Sequence, residues 1–399
     1  MLTPAAHGLE YFLSPLSEEA FFADCFDRRW VHVPAGERAK SNMFPVDALE
    51  EELRRRRPWD QKRDGAPTYL RLLRDGRVGK PVTSLNEVIA GCHEGMSLVL
   101  NSVHETVTEI AEACEVLERA FGVAASANVY FSPPRSQGFD VHVDTHDVFV
   151  IQTHGAKRWQ IHPPQVFPAP KKHWLDGALE LEVFNDIPDE SEPETITLRE
   201  GDVLYLPRGV PHAAESQDEA SLHVTFGVDV LTWGEVLELC LRDTAIHRRA
   251  LRAAVDPSWM LPGAEAQLAE GLRERVAELA DAQLPRALER LRRSSASAVA
   301  PGALRALLRI EELDDETEIR MAKGVVTFGT HLGHHWLAVG AQKHRVPPRT
   351  RSYCQFVAER ETFRVRDLPG DLPGDSRRVF VRWLLSKGLA SLAEGRASS

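Results

Sequence analysis

Hydrophobic and polar positions recur along this chain with two different periods, and the changes of period divide it into elements. Ser17 precedes Glu18 and Glu19 and then Phe21, Phe22 and Phe26, the arrangement of an N-capped helix with an acidic first turn; Trp30-Val-His-Val then reads as a strand. Asp47 with Glu50 and Ser84 with Glu87 have capping-box spacing and predict two further helices. From His104 to Phe121 the residues Val107, Ile110, Ala111, Val116, Leu117 and Ala120 share a helical face, with Gly122 as the C-cap. The period falls to two from Ala127 to Val230, punctuated at PPRSQG, HPPQVFPAPKK and LPRG, so strands dominate there. Within that block DVFVIQT and KRWQIH read as two strands joined by a turn at Gly155, which puts Lys157, Trp159 and Ile161 on one face.

The helical period returns after the strands. Thr232 and Glu235 have capping-box spacing, and Val236, Leu237, Leu239, Cys240, Leu241 and Ile246 form an apolar face to about Ala254, with Pro257 and Pro262 as stops. A longer segment from Ala264 to Arg293 carries the stripe Leu268, Leu272, Val276, Leu279 and Leu284, with a kink expected at Pro285. Ser294 to Pro301, SSASAVAP, is a linker by composition. Beyond it the pattern predicts a helix near 302–312, β-like stretches near 324–328 and 351–357, and a last helix from Ser376 to Lys387 closed by Gly388. The class is α+β.

Composition narrows the functional classes. The 399 residues allow two or three domains, and 43% hydrophobic with 27% charged residues is ordinary for a globular protein. A net charge of −11 argues against a generic nucleic-acid footprint and leans weakly towards a basic substrate. The short run Arg54 to Arg57 reads as a solvated helix end. Cys25, Cys92, Cys114, Cys240 and Cys354 are scattered and odd in number, which suggests neither a disulfide framework nor a thiolate zinc site. The opening stretch lacks a basic region followed by an apolar one, and no apolar run is long enough to cross a bilayer, so a cytoplasmic protein with no membrane partner is expected.

Candidate chemistry sits in two segments. His142 and Asp144 stand two apart in a Val-rich strand context, so both point to one face. The second segment, GDVLYLPRGVPHAAES, supplies His212 after a Pro-Arg-Gly-Val-Pro turn. Two imidazoles and one carboxylate with open positions suit Fe(II) in oxygenases, whereas structural zinc prefers four protein ligands. An HxD pair alone is common; the spacing of Gly201, Pro207, Gly209 and His212 adds weight, because it matches the second cupin motif up to the histidine. Ser216 replaces that motif's closing Asn. Lys157, between an apolar strand and Trp159, asks for an anionic partner or else is a solvated rim lysine. Asn128, Tyr130 and Thr225 are candidates for hydrogen bonds to a bound molecule, with a core or ladder role as the alternative. Residues 167–190 depart from strand patterning and are placed either to cover a substrate or to form a plain surface loop. His331, His334 and His335 read as buried or interfacial histidines before a second metal site.

The segments NVY, SQGF, HVD, DVFVIQ, GAKRW and LPRGVPH occur in the order used by JmjC-type 2-oxoglutarate oxygenases of the ribosomal oxygenase kind, a branch of the cupin superfamily, and most of the chain resembles that family. The resemblance implies a double-stranded β-helix, the JmjC or cupin jelly-roll barrel, with N-terminal helices over 1–231, a helical dimerisation module over 232–296 and a winged-helix-like domain over 297–399. It implies His142, Asp144 and His212 as the catalytic iron ligands, Lys157 as the cation meeting the distal carboxylate of 2-oxoglutarate, and O2 as co-reactant. It further implies a homodimer that hydroxylates a protein side chain, above all a His or Arg of a ribosomal protein, with no direct specific DNA binding. A lysine demethylase of the same iron chemistry, a hydroxylase of small molecules or peptide natural products, and a non-catalytic cupin are the alternatives.

Overall fold

The strand-rich block expected from Ala127 to Val230 forms two sheets packed face to face. The computed structural model describes residues 3–35, 40–56, 69–74, 76–79, 82–164, 167–171, 192–255, 265–282, 302–322, 326–331, 334–339, 342–370 and 375–393. The chain divides into two units, Met1–Val230 and Leu231–Ser399.

The strands of the first unit are β1 (Val31–Val33), β2 (Leu70–Arg74), β3 (Arg77–Val78), β4 (Ser97–Leu100), β5 (Ala125–Ser132), β6 (Asp147–His154), β7 (Lys157–Ile161), β8 (Glu194–Leu198), β9 (Val203–Leu206), β10 (His212–Ser216) and β11 (Ser221–Val228). Eight make one sheet, in the order β1-β9-β6-β11-β5-β4-β2-β3, and three make another, β10-β7-β8; every pairing is antiparallel. Gly155, at φ 63°, turns the chain between β6 and β7, and these two strands lie in different sheets rather than in one hairpin.

Both faces of the large sheet are covered, which is why β6 is buried from Asp147 to Thr153 and exposed only at His154. Between the sheets Val148, Val150, Leu204 and Leu206 pack with Trp159, Ile161 and Leu198. On the outer face Phe149, Tyr205 and Phe226 pack with the helices α1 (Pro4–His7), α2 (Glu10–Leu13), α3 (Glu18–Asp24), α4 (Val46–Arg56), α5 (Leu85–His93) and α6 (Thr108–Phe121). Phe12 meets Phe226 at 5.3 Å between ring centroids, and Phe21 meets Tyr205 at 4.8 Å. Each such side chain taken out of water contributes about 1.5–3 kcal/mol.

Local signals decide most boundaries. Ser17 caps α3 by accepting from the Ala20 N–H at 3.1 Å. Gly122, at φ 69°, closes α6. The expected start of α6 at His104 is corrected to Thr108: residues 103–105 form a 3₁₀ turn, and His104 accepts instead from the Ala127 N–H at 3.1 Å. The Asp47–Glu50 capping box is absent, because α4 already begins at Val46 and the Pro45 carbonyl accepts from Ala48 at 3.0 Å. The Glu87 N–H donates to Ser84 Oγ at 3.3 Å, but the Glu87 carboxylate accepts from the Thr83 N–H and hydroxyl rather than from Ser84.

In the second unit α7 (Trp233–His247), opened by a complete Thr232–Glu235 capping box, precedes α8 (Arg249–Arg252), α9 (Glu265–Ala282), α10 (Ala303–Leu308), α11 (Arg351–Ala358) and α12 (Ser376–Ser386). Strands β12 (Glu318–Met321), β16 (Thr362–Arg364) and β17 (Ala390–Leu392) form one sheet, while β13 (Val326–His331), β14 (His334–Val339) and β15 (Gln342–Val346) form another. The β-like stretch expected at 351–357 is the helix α11. Tyr353, Cys354 and Val357 are fully buried at helical spacing, so packing overrides their strand propensity. The expected apolar face of α7 is divided: Val236, Leu239 and Cys240 are buried, Leu237 and Leu241 exposed. Pro257, Pro262, Leu284, Pro285, the linker 294–301 and most of the 167–190 insertion lie outside the described residues.

Candidate active site

The three residues that sequence spacing singled out arrive from different places and meet at one end of the space between the sheets. His212 is the first residue of β10, and His142 lies opposite it as an isolated antiparallel pair, with N–H to O distances of 3.1 and 2.9 Å in the two directions. Their rings are 4.5 Å apart. The strand expected around His142 and Asp144 is not formed, since residues 143–146 are irregular; Asp144 is placed instead by its backbone carbonyl, which accepts from the Gly209 N–H at 2.9 Å, and its Oδ2 lies 3.7 Å from His212 Nε2. One ligand atom from each of His142, Asp144 and His212 lies within 4.8 Å of the others, and this is the cluster of its kind among the described residues.

The donor set fits a divalent metal. His142 Nδ1 donates to the Asp140 carbonyl at 2.8 Å and His212 Nδ1 to the Val210 carbonyl at 2.9 Å. With those protons placed, both Nε2 lone pairs face the gap. Burial, together with His142, pushes His212 down to about 4, so it is neutral at pH 7. Burial opposes ionisation of Asp144, yet His146, His212 and His142 together draw it below the usual carboxylate range. A neutral imidazole at His212 and a charged carboxylate at Asp144 are protonation states that a metal requires. All five cysteines are free and none lines this cavity.

The triad opens into a cavity of about 380 Å³ lined also by Lys157, Tyr130, Asn128 and Thr225. Lys157 is 2% exposed, so the solvated-rim reading is excluded. Its Nζ donates to Ser132 Oγ at 2.9 Å, and no described carboxylate lies within ion-pair reach. Burial draws its ammonium down to about 7. Asn128 has a second duty, since its Oδ1 accepts from the Ser102 N–H at 3.0 Å. Burial and the nearby Asp144 raise Tyr130, which stays a neutral phenol. Ser216, in place of the cupin Asn, accepts from the Ser136 N–H at 2.9 Å and donates to the Pro133 carbonyl.

Sequence reasoning missed Arg71, Asn101, His146 and His223, which line the same cavity. His223 stacks on Tyr130 at 4.8 Å and 4°. A signal existed for His223 and Ser132, each two residues from a nominated position in the same strand. Arg71, in LRLLR, carried none.

Residues 100–236 match the family described as the JmjC domain. The chain carries a JmjC domain. The chain is 32% identical to ribosomal oxygenase 1 of Homo sapiens over 246 residues, 59% of this chain and 37% of that protein. It is 30% identical to the bifunctional lysine-specific demethylase and histidyl-hydroxylase NO66 of Dictyostelium discoideum over 235 residues, 56% of this chain and 43% of that one. The match thus spans less than half of either relative. Among solved structures, the Escherichia coli ribosomal oxygenase YcfD superposes with a TM-score of 0.52 at 17% identity, covering 95% of this chain and 98% of YcfD. YcfD in complex with cobalt and 2-oxoglutarate superposes with a TM-score of 0.51 at 16% identity, covering 96% and 99%. These superpositions establish a shared fold around the JmjC domain.

Proposed function

We propose that this protein is an Fe(II)- and 2-oxoglutarate-dependent hydroxylase of a protein side chain, with a ribosomal protein as substrate. One observation carries the reading: a single cavity holds a His-Asp-His cluster and a buried lysine with no described carboxylate partner. Relatives named ribosomal oxygenase and histidyl-hydroxylase, and a structural neighbour that binds cobalt and 2-oxoglutarate, support it.

In this reading His142, Asp144 and His212 hold the metal. Iron, when bound, supplies the redox chemistry by which 2-oxoglutarate and O2 become succinate and CO2 while a C–H bond of the substrate gains one oxygen atom. The protein's part is binding, orientation and exclusion of water. Lys157, steered by Ser132, receives the distal carboxylate, and the neutral Tyr130, Asn128 and Thr225 offer hydrogen bonds along the same wall. Trp159, 5.8 Å from His212 between ring centroids, closes the apolar side.

Between histidine and arginine as target, the lining favours neutral imidazole. Arg71 and Lys157 are its cations, and Asp144, committed to the metal, is the one carboxylate among the described lining residues. A guanidinium would meet like charge with no acid to receive it.

The second unit fits a helical module at 232–296 that pairs two copies, followed by a winged-helix-like domain at 297–399. Exposed Trp233, Leu237 and Leu241 on α7, and Leu268, Leu272 and Val276 on α9, support pairing. The buried core shared by α10, α11, α12 and β12, β16 and β17 supports the small domain. No helix among the described residues is long and apolar enough to cross a membrane, and a cytoplasmic enzyme is the reading that goes with a ribosomal substrate.

The test is succinate production from iron, 2-oxoglutarate and ribosomal protein, with mass spectrometry of the substrate. Gain of one oxygen supports hydroxylation; formaldehyde release identifies a demethylase; no succinate dismisses the oxygenase. His142→Ala and Asp144→Ala are expected to abolish metal binding and turnover.

A further inference from the structure

Asp147 is fully buried and does not line the cavity, yet it joins the two loops that carry the ligands. Tyr205 Oη donates to its Oδ2 at 2.5 Å, and the Arg208 backbone N–H donates to its Oδ1 at 3.1 Å, with the Arg208 guanidinium 3.6 Å away. The next amide, Gly209, donates to the Asp144 carbonyl at 2.9 Å. Consecutive N–H groups at 208 and 209 therefore grip both ends of the Asp144–Asp147 loop. The gripping loop runs on to His212. The anchor is itself anchored, because the Arg208 guanidinium reaches Asp27 at 2.8 Å and the Ala169 carbonyl at 3.1 Å.

The ladder between β6 and β9 ends at the pair Val148↔Leu206. Beyond that pair β6 and β9 are no longer in register; the isolated pair His142↔His212 ties His212 to His142, the Gly209 N–H ties its loop to Asp144, and the Asp147 carboxylate stands between them where the β6–β9 ladder stops. Burying this charge is costly, so a purely structural role is better filled by an apolar side chain. We infer that Asp147 is a positioning residue for the metal centre: through Tyr205 and Arg208 it sets the separation of Asp144 from His212. This rests on the reading of His142, Asp144 and His212 as metal ligands.

The experiment measures Co(II) affinity of metal-stripped full-length protein by calorimetry, the visible spectrum of the Co(II) form, and Tm without metal. Asp147→Asn is expected to raise the Co(II) dissociation constant on the order of 10- to 100-fold and to shift the spectrum, with Tyr205→Phe giving a smaller change of the same kind. Leu117→Ala, a cavity in α6 remote from the ligands, is expected to lower Tm and leave Co(II) affinity and spectrum as in wild type. Should Asp147→Asn fail to fold, Tyr205→Phe decides. The inference is overturned if Tyr205→Phe, and Asp147→Asn where it folds, lower Tm as Leu117→Ala does but bind Co(II) like wild type. Failure of the wild-type protein to bind Co(II) at all overturns the metal reading itself, a different result.

Discussion

At the scale of single residues, Lys157 has the clearest consequence. Its ammonium is drawn by burial from 10.5 to about 7, so the ligand-free fold favours the neutral amine above that pH. The unfolded chain then binds more protons between about 7 and 10.5, and ligand-free stability gains from this group as pH rises through that window. A dicarboxylate needs the charged form. Binding of 2-oxoglutarate is therefore expected to take up a proton above pH 7 and to weaken about tenfold per pH unit there, as calorimetry in buffers of different ionisation enthalpy will read. Lys157→Ala is expected to flatten that dependence and raise the 2-oxoglutarate dissociation constant on the order of 100-fold while Co(II) still binds; a wild-type pH profile would reject the assignment. Arg71, which lines the same cavity, bears on the proposed choice of target. Like charges about 6 Å apart cost on the order of 3 kcal/mol at an effective dielectric of about 20, so Arg71→Glu is expected to raise turnover of arginine-bearing over histidine-bearing peptides by about tenfold or more. The clustering of His142, Asp144 and His212 and the inward face of Lys157 were legible from local signals: the HxD spacing, the stiff turn before His212 and, for Lys157 alone, strand alternation in β7. Arg71 was not, since it joins the site only through the cross-strand row Arg71↔Val99↔Tyr130↔His223.

At the scale of elements, the turn at Gly155 does more than join two strands. A Cβ there would stand 2.0 Å from the Ala220 carbonyl oxygen, and the φ of 63° is one that side chains other than glycine's disfavour. Gly155→Ala is expected to cost about 1–3 kcal/mol from backbone strain alone, with the clash adding to it, read as a lower midpoint in urea unfolding. Caps and turns such as Ser17, Gly122 and Thr232 were legible because their hydrogen bonds close within a few residues. The helix α11 was not: its period emerges once Tyr353, Cys354 and Val357 have a core to face.

For the whole molecule, the exposed leucines of α7 and α9 make the prediction. Leu237→Glu with Leu272→Glu is expected to shift the protein towards monomer in sedimentation while the Tm of the first unit and Co(II) binding stay unchanged; an unaltered mass rules this surface out as the pairing face. What the sequence by itself determined is local: strand and helix periods, caps and turns, an HxD pair, a histidine behind a stiff Pro-Gly turn and a lysine on an apolar strand face. These depend on interactions within a few residues, which order along the chain records. Only the tertiary structure decided that β6 and β7 part into different sheets, that His142 and His212 lie opposite each other, and that Asp147 clamps the loops bearing Asp144 and His212. Those facts rest on register and packing between segments scores of residues apart, and no local preference encodes them.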